Sequence, residues 1–120
     1  MKFIVENGFD IKKGKAAEYQ KWLADNHEKL AASAPDGFEY LGTFVNIFNS
    51  TPESGSFRTL WALDSYGAMD NFADSVKGGG TFAELVDTMA GFTLDPQDGG
   101  HTSNVLSRNV TDSAIWGDND

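Results

Sequence analysis

With 18 acidic against 9 basic side chains in 120 residues, the chain carries a net charge of −9. Such a surface repels phosphate backbones and anionic lipids, so neither nucleic acid nor a membrane is an expected partner. The length allows one domain whose core removes roughly two thirds of the unfolded surface, and the absence of cysteine excludes disulfides, thiolate metal ligation and thiol catalysis.

The start, MKFIVENGFD, has too short an apolar run for a signal peptide, and no later stretch approaches a membrane span, so a cytoplasmic protein is expected. Lys2 to Asp10 reads as a first strand, with Phe3 and Val5 on one face and Ile4 on the other before Gly8 interrupts it. From Gly14 to Ala34 the period changes. Tyr19, Trp22, Leu23, His27, Leu30 and Ala34 recur at three- and four-residue spacing, which predicts an amphipathic helix of about five turns. Pro35 and Gly37 end it. Lys12, Lys13 and Lys15 at its start are expected to be solvated.

Two strands follow, 37–49 and 56–64, joined by the polar connection NSTPESGS, whose length and composition predict a mobile loop. Alternation places Phe38, Tyr40, Phe44 and Phe48 on one face of the first and Leu41, Val45 and Ile47 on the other. On the second, Phe57, Thr59, Trp61 and Leu63 oppose Arg58, Leu60 and Ala62. Both sheet faces then read as largely apolar, which calls for helices on one and a partner subunit's sheet on the other.

Asp64 or Ser65 is the expected cap of a helix with Met69, Phe72, Ala73 and Val76 inward, stopped at the Gly78–Gly80 run. Thr81-Phe82-Ala83-Glu84 predicts a capping box for a second helical piece, with Phe82, Leu85, Val86 and Met89 as its stripe and Gly91 as its end. Leu94 to His101 reads as a loop, Thr102 to Val110 as a fourth strand, and residues 112–120 as an acidic tail in which Ile115 and Trp116 seek a surface.

The order β-α-β-β-α-β, with the second helix broken, is the ferredoxin-like α+β arrangement: a four-stranded antiparallel sheet with helices on one face, here over residues 1–111. An apolar open face predicts a homodimer in which two sheets pair into a dimeric α/β barrel.

The segments MKFIVENGF, DGFEYLGTFVN and SFRTLWALDSYGAMDNF resemble, over roughly residues 1 to 90, the antibiotic biosynthesis monooxygenase-like group of the dimeric α/β-barrel superfamily. In its haem-degrading and quinone-forming members an Asn on the first strand and a Trp on the third line a pocket between sheet and helices. The resemblance therefore implies catalytic roles for Asn7 and Trp61. Haem-binding members ligate iron through a histidine on the second helical region, and Val86 stands at that place here, so neither haem nor another cofactor is expected.

His27, on the helical stripe, is a candidate general base or hydrogen-bond donor. Trp22, Tyr40, Asn46 and Arg58 are candidates for the mixed lining that an aromatic or quinone-like ligand needs. Against these stands plain packing: Asn7 as a turn former, Trp61 as a core aromatic and His27 as a half-buried helix residue. His27 and His101 lie too far apart in sequence to predict a metal site. No G-x-S-x-G, P-loop or G-x-G-x-x-G motif occurs. The functional expectation is a dimer with a small-molecule pocket whose activity, if it is an enzyme, is cofactor-independent monooxygenation of an aromatic or quinol-like substrate. The alternative is a non-catalytic ligand-binding or structural dimer.

Overall fold

In the computed structural model, which describes residues 2–111, the four strands are β1 (Phe3–Phe9), β2 (Phe38–Val45), β3 (Phe57–Leu63) and β4 (Thr102–Arg108). They pair antiparallel in the order β2-β3-β1-β4. The helices are α1 (Ala16–Ala32), α2 (Met69–Lys77) and α3 (Thr81–Phe92), so the ferredoxin-like order holds, with the second helix broken. Gly79 and Gly80 make the break at φ 77° and 97°, where any other residue pays a steric cost. The expectation for the acidic tail with Ile115 and Trp116 lies outside the described residues. Among the described residues no helix is long and apolar enough to cross a membrane.

Strand register decides which side chains stand together. Across β2, β3, β1 and β4 the helix-side face carries four rows: Phe38, Leu63, Phe3 and Arg108; Tyr40, Trp61, Val5 and Leu106; Thr43, Thr59, Asn7 and Asn104; Val45, Phe57, Phe9 and Thr102. Three rows are apolar near the sheet centre. The third is polar from edge to edge, and it lies under the helices.

Simple alternation fails on β2. The register shifts between Tyr40 and Gly42, with Gly42 at φ 138°, so a bulge at Leu41 exchanges the faces of everything after it. Thr43 and Val45 turn to the helix side and Phe44 to the open face, the reverse of the alternation that began at Phe38. The strand also ends at Val45 rather than Asn49, leaving Ile47 and Phe48 outside the sheet, 100% and 86% exposed.

The open face is mixed rather than largely apolar. Ile4, Leu60, Ala62, Val105 and Phe44 share it with Glu39, Glu6 and Arg58. Arg58 Nη1 donates to Glu6 Oε1 at 3.1 Å and its Nε to Asn46 Oδ1 at 3.3 Å, while Nη2 donates to Ser54 Oγ. The β2–β3 connection is tied down, contrary to the expectation of a mobile loop. Asn49 Nδ2 donates to Gly55 O at 3.1 Å, and Ser103 Oγ donates to Ser54 O at 2.9 Å. A Cβ on Gly8 would collide with Ser54 O and Ser103 Oγ, so this strap crosses β1 at a residue that only glycine allows.

Two helix starts differ from expectation. Neither Asp64 nor Ser65 caps α2 through its side chain; a 3-10 turn, Tyr66–Ala68, leads into it. Ala68 and Phe72 reach the core, whereas Ala73 is exposed and Met69 and Val76 are each 37% exposed. A helix of 9 residues presents little more than one turn to the sheet. The capping box is absent as well, because Thr81 is already the first residue of α3 and Gly80 is the cap, its carbonyl accepting from Glu84 N–H at 3.0 Å. The stripe of α3 is as read, with Phe82 and Leu85 buried and Val86 and Met89 half-buried.

Candidate functional site

Trp61 sits at the centre of the helix-side face because β3 is an inner strand and its odd-numbered residues face the helices. The ring meets Tyr40, Phe82, Phe38 and Phe72 at centroid distances of 5.2, 5.9, 6.0 and 6.3 Å, and only 2% of the residue is exposed. Packing accounts for the ring. It does not account for the indole N–H, which is buried without a hydrogen-bond partner at a cost of about 1–3 kcal/mol.

One row along, Thr43 Oγ1 lies 2.5 Å from the Tyr40 hydroxyl and 3.3 Å from Thr59 Oγ1. Tyr19 descends from α1 onto this row, wholly buried, its hydroxyl beside the Thr59 and Thr43 hydroxyls but in good hydrogen-bond geometry with no group among the described residues. Burial pushes the Tyr19 phenol well above the usual tyrosine range, Tyr40 adds to the rise, and the Thr59 and Thr43 hydroxyls pull it back. Burial also raises Tyr40, against the opposing pull of Thr43. Both phenols are therefore neutral near pH 7 and neither is a base.

The polar row continues into Asn7 and Asn104, which are directly opposite each other on β1 and β4. Exposure rises along it, from buried Thr59 through half-buried Asn7 to exposed Asn104. Two cavities, of about 410 Å³ and 390 Å³, open over this end of the sheet and share Asn7, Trp61, Phe72 and Asn104. Val5, Phe38, Met69 and Leu106 complete much of one; Tyr19, Thr59, Val86 and Met89 complete much of the other. Among the described residues no charged side chain lines either cavity. Among the described residues no three or more His, Asp or Glu gather as a metal-binding group.

Of the residues read from sequence, Asn7 and Trp61 come together. Tyr40 packs on Trp61, but its hydroxyl is engaged with Thr43 and it lines neither cavity. Trp22 stacks on Tyr19 at 6.3 Å, one layer above the cavities. His27 is exposed and takes no part. The inward position between Trp22 and Leu30 belongs to Asn26, whose Nδ2 donates to Trp22 O at 2.9 Å, so His27 is displaced to the flank of α1. Arg58 and Asn46 are bound to each other on the open face, because a residue three places before Trp61 on a strand points the opposite way. Missing from the reading were Tyr19, Thr59 and Asn104. An Asn in the middle of a strand is disfavoured, and for Asn104 that was the available signal.

Fold and cavity together define a ferredoxin-like α+β domain with a ligand-sized space between sheet and helices. No protein-family model matches the chain, and no curated protein matches it. Among solved structures, a NIPSNAP domain protein from Burkholderia xenovorans is similar at 12% identity and TM-score 0.65, over 93% of this chain and 98% of the other. A NIPSNAP family protein from Agrobacterium tumefaciens is similar at 13% identity and TM-score 0.66, over 96% and 94%. A haem degrader from Mycobacterium tuberculosis, solved with two haems bound in its active site, is similar at 14% identity and TM-score 0.52, over 93% and 99%. These likenesses establish the shared ferredoxin-like fold.

Haem itself does not fit the residues present. Iron needs an axial donor, but Val86 faces the cavity where the resemblance places a histidine, and the Tyr19 phenol is held neutral. The carboxylates of haem would also meet no cation on the lining.

Proposed function

We propose that the chain binds a small aromatic molecule in the helix-side cavity and, where that molecule is electron-rich, allows it to react with oxygen without a cofactor. The observation that carries this reading is the meeting of Asn7 and Trp61 at one aromatic-walled cavity, where the Asn7 amide has no hydrogen-bond partner among the described residues. Apolar walls with a few converging polar groups are what such ligands require. In the reaction the substrate supplies the electrons: its enolate reduces oxygen by one electron, the radicals join at carbon, and the peroxide loses water to leave a carbonyl. Asn7 supplies a donor to the developing oxyanion, and Trp61 packs against the ring.

Binding without chemistry is the second reading, favoured by one feature. Among the described residues no carboxylate, histidine or lysine lines the cavity, so they offer no base for deprotonating the substrate. Oxygen uptake with a panel of dihydroxynaphthalenes separates the two. Catalysis predicts uptake that Asn7→Ala abolishes with the fold intact; binding alone predicts none above the uncatalysed rate.

We further infer that the open face pairs with a second copy to give a dimeric α/β barrel. On the open face Phe44 and Val105 are 52% and 44% exposed, and Phe44 is followed closely by the exposed Ile47 and Phe48, apolar surface that favours burial. An interface of that kind removes more than ~1,200 Å². Sedimentation equilibrium at micromolar concentration tests it: the expected mass is twice 13.0 kDa, and a purely monomeric species overturns the inference.

A further inference from the structure

We propose that Asn104 is a ligand-binding residue acting as a pair with Asn7, and that the pair selects an uncharged planar heteroaromatic ring bearing a lactam edge, an N–H beside a C=O. The proposal deepens the small-molecule reading and rests on it. Asn7 and Asn104 are opposite each other on adjacent antiparallel strands, which sets their Cβ atoms about 4.5–5.5 Å apart on one face. Both line both cavities. Neither amide has a hydrogen-bond partner among the described residues, although each carries two donors and an acceptor.

That inventory discriminates between ligands. A primary amide presents a donor and an acceptor along one edge, and a lactam presents the complementary acceptor and donor, so two hydrogen bonds close at once. A ligand that only accepts displaces water from half-buried Asn7 and leaves its carbonyl oxygen unmet, and a purely apolar ring leaves the whole amide unmet. The ring plane has Trp61 and Phe72 to pack against.

Charge discriminates as well. The lining carries no cation, so a carboxylate entering the cavity loses its water without gaining a counter-charge. The net charge of −9 opposes its approach. The site therefore rejects the ionised analogue of a ring that it accepts when neutral.

Three probes of one size test this by calorimetry or saturation-transfer NMR: 2-quinolone, naphthalene and 2-naphthoate. The expected result is that 2-quinolone binds, naphthalene binds at least about tenfold more weakly, and 2-naphthoate does not bind. Asn104→Leu preserves size at an exposed edge-strand position, and its thermal melt reports whether the fold is kept. It should weaken 2-quinolone about tenfold and leave naphthalene unchanged, the scale of one lost hydrogen-bonded contact. Equal affinity for 2-quinolone and naphthalene, or an unchanged 2-quinolone affinity in Asn104→Leu, overturns the amide pair while leaving the cavity as a binding site. Binding of 2-naphthoate as tight as that of 2-quinolone overturns the selection for neutrality. Failure of all three probes to bind removes the small-molecule reading and the proposal together.

Discussion

The two faces of the sheet treat their polar groups in opposite ways. On the open face Arg58 bonds to Glu6, Asn46 and Ser54, so each polar group near the face centre finds a protein partner. On the helix side the Trp61 indole N–H and the Tyr19 hydroxyl are buried without one among the described residues. Native proteins satisfy nearly all buried polar atoms, and this chain does so where the residues hold the β2–β3 strap in place. Where it does not, a cavity adjoins. On the proposed reading, the polarity held for a ligand is that of Asn7 and Asn104, whose amides line the cavities without a hydrogen-bond partner among the described residues.

The largest expected effect comes from the centre of the helix side. Trp61→Ala removes the ring on which Tyr40, Phe38, Phe72 and Phe82 all pack, and should cost about 3–5 kcal/mol in urea unfolding. A loss below about 1 kcal/mol would mean that the ring serves the cavity more than the core. On the open face, Arg58→Met leaves Glu6 without its cation and removes one of the bonds that hold Ser54 Oγ, at a cost of about 1–3 kcal/mol. The diagnostic readout is limited proteolysis, because the strap at residues 49–55 should be cut faster in this variant and not in Trp61→Ala at matched stability. Equal cutting in both would erase the distinction between the faces.

How much of this was legible depended on whether the information was local. The β3 alternation and the α3 stripe could be read directly, since no irregularity interrupts either, and they place Trp61 and Phe82 correctly. β2 misled because a bulge carries no period of its own, although a glycine inside a strand, Gly42, is a mark that bulges leave. Arg58 was misassigned against the strand's own parity, which already set it opposite Trp61. His27 was chosen by spacing from Leu23, while spacing from Tyr19 selects Asn26. The polar row was beyond reach. Thr43, Thr59, Asn7 and Asn104 meet through strand pairings between segments far apart in sequence, and no short stretch contains that register.

The smallest effect is expected at the end of the sheet, where Asp10 ties three segments together. Its Oδ1 accepts from Ser56 N–H at 2.9 Å, and its Oδ2 accepts from His101 N–H at 2.9 Å and lies 2.9 Å from His101 Nδ1. Burial raises the Asp10 pKa, but the hydrogen bonds from the His101 side chain and from the Ser56 and His101 backbones outweigh it, and the group ends below its ordinary 3.8. A carboxylate lowered in the folded state adds stability that is present above the unfolded value and disappears as pH falls through the folded one. Asp10→Asn keeps the shape and one set of acceptor lone pairs but loses the charge. The thermal midpoint of wild type should therefore exceed that of Asp10→Asn at pH values well above 3.8, and the margin should close as pH is lowered past that value. A margin that persists undiminished in acid would show that Asp10 works through geometry alone, and the bond to His101 would then join the strap as plain structural polarity.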